Sequence, residues 1–96
     1  MAKARREKAE LRLRLYIAGQ APNSLRAIAN AKAVCNEHFP ADYVLEIVDL
    51  MEEPLRALAD AIIVTPTLIR LSPLPARRVI GSLNDADQLL LALSSK

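Results

Sequence analysis

A Thr-Pro dipeptide constrains this chain more than any other feature. Thr65-Pro66 stands between one apolar run, Ala61-Ile62-Ile63-Val64, and another, Leu68-Ile69-Arg70-Leu71. Proline has no N–H to donate to a β ladder, and it pushes the preceding residue toward extended conformations. Two readings follow. Pro66 opens an edge strand, or the bond before it is cis and marks a tight structural requirement. Either way a strand begins just beyond it.

The 96 residues suffice for one domain with a modest core. Hydrophobic residues make up 52% of the chain and aromatic residues only 3%, so the core is expected to be aliphatic. A net charge of +2 is too small to argue for nucleic acid, which needs a concentrated basic face. Lys3, Arg5, Arg6 and Lys8 concentrate charge at the start. Residues 1–10 are therefore expected to form a basic disordered arm, and 11–96 the folded domain. No apolar run approaches the roughly 20 residues that span a bilayer. The basic start is followed by alternating Leu and Arg rather than a signal-peptide core, so the expected location is cytoplasmic, with no membrane partner. A single cysteine, Cys35, excludes an internal disulfide framework.

Leu11, Leu13, Leu15 and Ile17 alternate with Arg12, Arg14 and Tyr16, a period of two that predicts a strand with one apolar face, Tyr16 lying beside the second strand. Residues 18–24 break the pattern as a loop, and Asn23 or Ser24 is placed to cap the next helix. From Leu25 the spacing is helical, with Leu25, Ile28, Cys35 and Phe39 as the stripe, Ala27, Ala31 and Val34 on its flank, and Pro40 as the stop. Residues 43–50 are rich in β-formers and apolar on nearly both faces, which predicts a strand covered on both sides and parallel to the first. Glu52-Glu53-Pro54 opens a short helix with Leu55, Leu58 and Ala59 as its apolar stripe. Residues 68–71 and 77–81 form an antiparallel hairpin around a Ser72-Pro73-Leu74-Pro75 turn. Asn84 caps a last helix, with Asp85 and Asp87 in its first turn and Leu89, Leu90, Leu91 and Leu93 as its buried face. The order β-α-β-α-β-β-α is thioredoxin-like: an α/β fold with a mixed four-stranded sheet and helices on both faces.

A thioredoxin-like redox enzyme needs a thiolate at the N-terminus of its first helix, where the dipole lowers the thiol pKa. This chain has Ala21-Pro22-Asn23-Ser24 there. Cys35 lies about three turns further on and reads as a small buried hydrophobe. His38, at a helix end, reads as structural or exposed. One histidine and one cysteine assemble no ordinary zinc cluster, so no metal or other cofactor is expected. Arg77 and Arg78 point to opposite faces of a strand. With Arg70 across the hairpin they form either a basic patch for an acidic partner or edge charges that prevent aggregation. A binding protein rather than an enzyme is expected.

Several blocks resemble the KaiB family, the small proteins of bacterial circadian oscillators. They are Leu15-Tyr16-Ile17-Ala18-Gly19, Ala21-Pro22-Asn23-Ser24-Leu25-Arg26-Ala27, Val48-Asp49-Leu50, Thr65-Pro66-Thr67-Leu68, and Leu74-Pro75-Ala76-Arg77-Arg78-Val79-Ile80-Gly81. The resemblance runs from about residue 11 to residue 94. It implies a thioredoxin-like state that binds the ATPase ring of KaiC, in competition with a sensor histidine kinase carrying a similar domain. It also implies, for some members, a second C-terminal fold in a tetrameric ground state. Uncatalysed X-Pro rotation is slow, which makes Pro66, Pro73 and Pro75 candidate fold-determining residues.

Three departures from the clock members stand out. The chain stops at Lys96 without an acidic tail, Glu46 aligns where they tend to carry Lys, and Ala92 where they carry Gly. Alanine favours helix over glycine by about 1 kcal/mol, so this member is expected in, or close to, the thioredoxin-like state. By analogy Arg26, Arg70, Arg77 and Arg78 contact the ATPase ring, and Glu46 sits on a contact strand with reversed charge. The missing tail fits relatives linked to stress adaptation. A sensory domain working with a histidine kinase is the rival reading. Self-association into a dimer or tetramer stays open.

Overall fold

The computed structural model describes residues 11–95, so the expected N-terminal arm lies outside the described residues. The elements are β1 (Leu11–Ile17), α1 (Pro22–His38), β2 (Tyr43–Asp49), α2 (Pro54–Ala59), β3 (Thr67–Ser72), β4 (Arg77–Ile80) and α3 (Ala86–Ser94). The sheet order is β2-β1-β3-β4. β1 runs parallel to β2 and antiparallel to β3, and β3 and β4 form the hairpin. The expected thioredoxin-like α/β order holds throughout.

Alternation along β1 divides the molecule. Leu11, Leu13, Leu15 and Ile17 enter the larger core, with Ala27, Ala31, Val34 and Cys35 of α1 and Leu89 and Leu93 of α3. The intervening Tyr16 enters a second, smaller core with Val48, Ala57 and Ile69 on the α2 side. The core is thus not wholly aliphatic: Tyr16 is fully buried.

Several local expectations change. α1 starts at Pro22 rather than Leu25, and neither Asn23 nor Ser24 caps it. Proline fits the first turn because no helical donor is needed there. The Ser24 hydroxyl instead turns inward and accepts from the Ala18 N–H at 3.1 Å. The buried stripe of α1 is Ser24, Ala27, Ala31, Val34 and Cys35, while Leu25 is exposed. The side chains on this buried face are mostly small.

β2 is not covered on both faces. It is an edge strand with only Val48 fully buried, and it is exposed on both faces, at Val44 on the α2 side and at Ile47 on the side of the larger core. The predicted stripe of α2 is likewise reversed: Ala57 is buried, whereas Leu55 and Leu58 are 78% and 75% exposed. Asp85, not Asn84, caps α3, its carboxylate accepting from the Gln88 N–H at 3.0 Å. Asn84 instead accepts from the Asn30 side chain. Leu91 lies on the exposed side of α3 and Leu90 is half-buried.

The bonds before Pro66, Pro73 and Pro75 are all cis. Pro66 ends the segment leading into β3, and its carbonyl accepts from the Gly81 N–H at 2.9 Å. Gly81 has φ +108°, a conformation open chiefly to glycine.

Candidate functional site

The residues singled out by the sequence fall in three regions. The first is the N-terminus of α1, where this architecture can carry a reactive thiol. Here the loop before it is tied down by Asp49, whose Oδ1 accepts from the Gly19 N–H at 3.1 Å and the Met51 N–H at 2.9 Å. The first turn presents Pro22 and Asn23. Cys35 sits deep in the helix, fully buried, and burial pushes its thiol up to about 11. A thiol so placed is protonated at neutral pH and out of reach of a substrate.

The second region is the α2 face of the sheet. Arg14 on β1 lies opposite Glu46 in the parallel register with β2. Its Nε donates to Glu46 at 2.9 Å and its other nitrogen to Asp60 at 3.0 Å. Arg56 of α2 closes the chain of charges with Glu46 at 2.7 Å. The Tyr16 hydroxyl stands 2.6 Å from the Asp60 carboxylate and 2.9 Å from the Arg56 carbonyl.

Each titration in this group shifts for a local reason. The hydrogen bond from Tyr16, then that from Arg14, holds Asp60 below the usual carboxylate range. Hydrogen bonds from Arg14 and Arg56 do the same for Glu46. Burial first, then Asp60, raises Tyr16. Arg78, projecting from β4 to this same face, donates to the carbonyls of Asp60 and Ala61. Around this polar staple Leu55, Leu58, Ile63 and Val64 remain exposed, Ile63 to 92%.

The third region lies on the opposite face. Arg70 shares the side of β3 that carries the core residue Leu68, and it is 1% exposed. Its guanidinium donates to the carbonyls of Ala92, Leu93 and Ser95 at 3.0, 3.2 and 2.5 Å, and to that of Pro75 at 2.8 Å. These are the orphan carbonyls at the C-terminus of α3 and one from the hairpin turn, where a cation offsets the negative end of the helix. Burial, followed by the charge of Arg77, lowers its affinity for the proton. Arg77 faces the same way, 3.3 Å from the Ser95 hydroxyl.

The predicted site residues are therefore not gathered into one patch. Arg77 and Arg78 do point to opposite faces. Arg70 belongs to the interior, because a residue two along from a buried leucine faces the same core. Arg26 is exposed on α1 and bonded to Asn23 at 2.7 Å. Glu46 is held in the staple by Arg14 and Arg56. Ala92 lies in α3 and gives its carbonyl to Arg70. Sequence reasoning missed the Tyr16–Asp60 contact and the roles of Arg14 and Arg56. The signal for Arg14 was its place on the second face of a buried strand, where a cation needs acidic neighbours.

A KaiB domain family model matches residues 14–95. The circadian clock oscillator protein KaiB of Synechococcus elongatus is 42% identical over 81 residues, covering 84% of this chain and 79% of its own. The protein of the same name from Prochlorococcus marinus subsp. pastoris is 41% identical over the same share of this chain and 76% of its own. Among solved structures, the N-terminal domain of Synechococcus elongatus SasA superposes with TM-score 0.72 at 22% identity, over 90% of this chain and 85% of that one. A Halobacterium salinarum thioredoxin mutant does so with TM-score 0.75 at 18% identity, over 96% and 79%. These two show the shared fold.

Proposed function

The chain belongs to the KaiB family, and from that premise we propose that it is a non-catalytic docking protein for the ATPase ring of a KaiC-type protein, regulating a circadian or stress-adaptation output. The observation that carries this reading is the 42% identity to clock oscillator KaiB over most of both chains. The architecture is consistent with docking rather than thiol chemistry, since its one cysteine is buried in α1.

In this reading Arg26, Arg77 and Arg78 supply the basic contacts. Arg70 acts from behind them, fixing α3 and the hairpin turn. Glu46 orders the α2 face through Arg14 and Arg56. Ala92, as a helix former within α3, favours the thioredoxin-like state over an alternative C-terminal fold.

The test is co-elution with the KaiC-type ATPase of the same organism, in ATP, over hours at growth temperature. A complex is expected, and Arg77→Glu with Arg78→Glu should weaken it about tenfold or more, as charge reversal at an interface does. Absence of a complex, with both proteins folded, would overturn the reading. A sensor histidine kinase pathway would then be the partner to test.

A further inference from the structure

The chain passes from β2 to β3 across the second face of β1, and α2 lies on that crossover. β1 pairs with β2 along one edge and with β3 along the other, and residues 52–62 take part in neither ladder. The crossover can therefore leave the sheet without breaking a ladder bond. The larger core, on the opposite face, is untouched by such a motion.

Little apolar surface holds the crossover down. Ala57 is the buried residue of α2, and the partly buried Leu50 and Ile62 join it against Tyr16, Val48 and Ile69. Leu55 and Leu58 stand in water. The remaining attachment is polar. Asp60 accepts from the Tyr16 hydroxyl and from Arg14, Arg56 pairs with Glu46, and Arg78 donates to the Asp60 and Ala61 carbonyls. Ala61, just past the helix, has φ +55°, a left-handed conformation that suits glycine better than a residue with a side chain. Opening exchanges a small burial and a few solvent-screened pairs for regained backbone freedom. Both ends of the crossover are tied to strands: the Met51 N–H donates to the Asp49 carboxylate of β2, and the Thr67 hydroxyl of β3 donates to the Val64 carbonyl at 2.6 Å.

We propose that residues 52–62 are a flap that opens as one cooperative unit between these two ties, with the sheet, α1 and α3 still folded, and that the charges around Asp60 are its latch. Opening uncovers Tyr16, Val48 and Ile69 and frees the Arg78 guanidinium. The inference is independent of the ATPase-ring reading.

Native-state hydrogen exchange of the full-length protein tests it. The flap reporters are the Asp60, Ala61 and Ile62 amides, which donate to the Arg56, Leu58 and Ala57 carbonyls. The Leu13 and Leu15 amides of β1 are the reference. Flap amides should exchange at least about 100-fold faster than the reference, with one shared urea dependence that is smaller than that of β1 but above zero. Raising NaCl from about 0.05 M to about 1 M should speed them about fivefold relative to β1, the size of one screened exposed pair. Asp60→Asn should speed them by a similar factor at low salt and reduce the salt effect. Ile28→Ala, against the larger core, should speed β1 and leave the flap amides unchanged, because the closed and open forms lose the same contact. Equal rates for flap and β1 amides, or an equal response of both to Ile28→Ala, would overturn the proposal by showing that the chain opens only as a whole. Flap amides with no urea dependence, or with three different ones, would overturn it by showing residue-by-residue fraying. Indifference of the flap amides to both salt and Asp60→Asn would overturn the latch.

Discussion

On one face of the sheet, Leu11, Leu13, Leu15 and Ile17 meet two helices in a continuous apolar core. On the other, a six-residue helix reaches the sheet through Ala57, and much of the attachment is made by Arg14, Glu46, Arg56, Asp60 and Tyr16. The first face is held by removal of apolar area from water, which is non-directional. The second adds to its smaller apolar core a set of directional contacts that individually contribute little when exposed. Leu55, Leu58 and Ile63 stay in water there, so the α2 face combines weak attachment with unburied apolar surface. Segments of that kind open locally at low free-energy cost.

The largest effect should come from the apolar face. Leu15→Ala empties a fully buried position on a central strand. It should cost about 2–5 kcal/mol in urea unfolding, by lost transfer energy plus the cavity. Leu58→Ala on the α2 face should stay within about 0.5 kcal/mol, as surface substitutions do. Comparable losses at the two sites would break the distinction between the faces. Arg70 comes next, since it is the polar exception within the apolar face. Arg70→Met leaves the carbonyls of Ala92, Leu93, Ser95 and Pro75 without their donor and should cost about 2–3 kcal/mol. Hydrogen exchange would place the loss in the last turn of α3, and Arg70→Lys should recover part of it.

The apolar face was the legible one. A period of two over Leu11–Ile17 and a helical spacing from Leu25 are enough to call a strand and a helix, though not the start of the helix at Pro22. Parity along β3 also places Arg70 with Leu68, but only the packed helices reveal that this side is the core. That is why Arg70 read as a surface cation. The α2 face was not legible, because its contacts depend on register and distance. Tyr16 and Asp60 are 44 residues apart, and Arg14 and Glu46 are 32 apart. The second pair needs β2 parallel to β1 in one specific register and the first needs the end of α2 to lie over β1, and no local pattern fixes either. Leu55 and Leu58 misled for a related reason: hydrophobic spacing marks a face, not whether anything covers it. The exposed Arg26 and the opposed Arg77 and Arg78 were legible as positions, and their partners were not.

The Tyr16 hydroxyl tests how much of the α2 attachment is directional. Tyr16→Phe keeps the ring in the small core and removes both hydroxyl contacts, to Asp60 and to the Arg56 carbonyl. It should cost about 1 kcal/mol, the usual net value of one such hydrogen bond. A much larger loss would mean that the ring and the staple fold as one unit. Double-mutant cycles with Asp60→Asn would measure that coupling.

The smallest effect is the most specific. Glu46 and Asp60 both titrate below their ordinary values because cations and the Tyr16 hydroxyl hydrogen-bond to the charged forms. A carboxylate whose folded pKa is depressed stabilises the fold above its unfolded pKa, near 4, and loses that contribution as pH falls through the folded value. Stability should therefore be flat from about pH 7 to about pH 5 and then decline. Glu46→Gln should reduce stability slightly at neutral pH and make the acid decline shallower. The change stays small because Glu46 is 42% exposed and its pairs are screened by solvent. Added salt should shrink the difference between wild type and Glu46→Gln, since the Debye length falls to about 3 Å at 1 M. Leu15→Ala provides the contrast, because a core deletion lowers stability equally at all these pH values. An acid decline unchanged by Glu46→Gln would mean that the α2 face, like the other, is held by burial rather than by its charges.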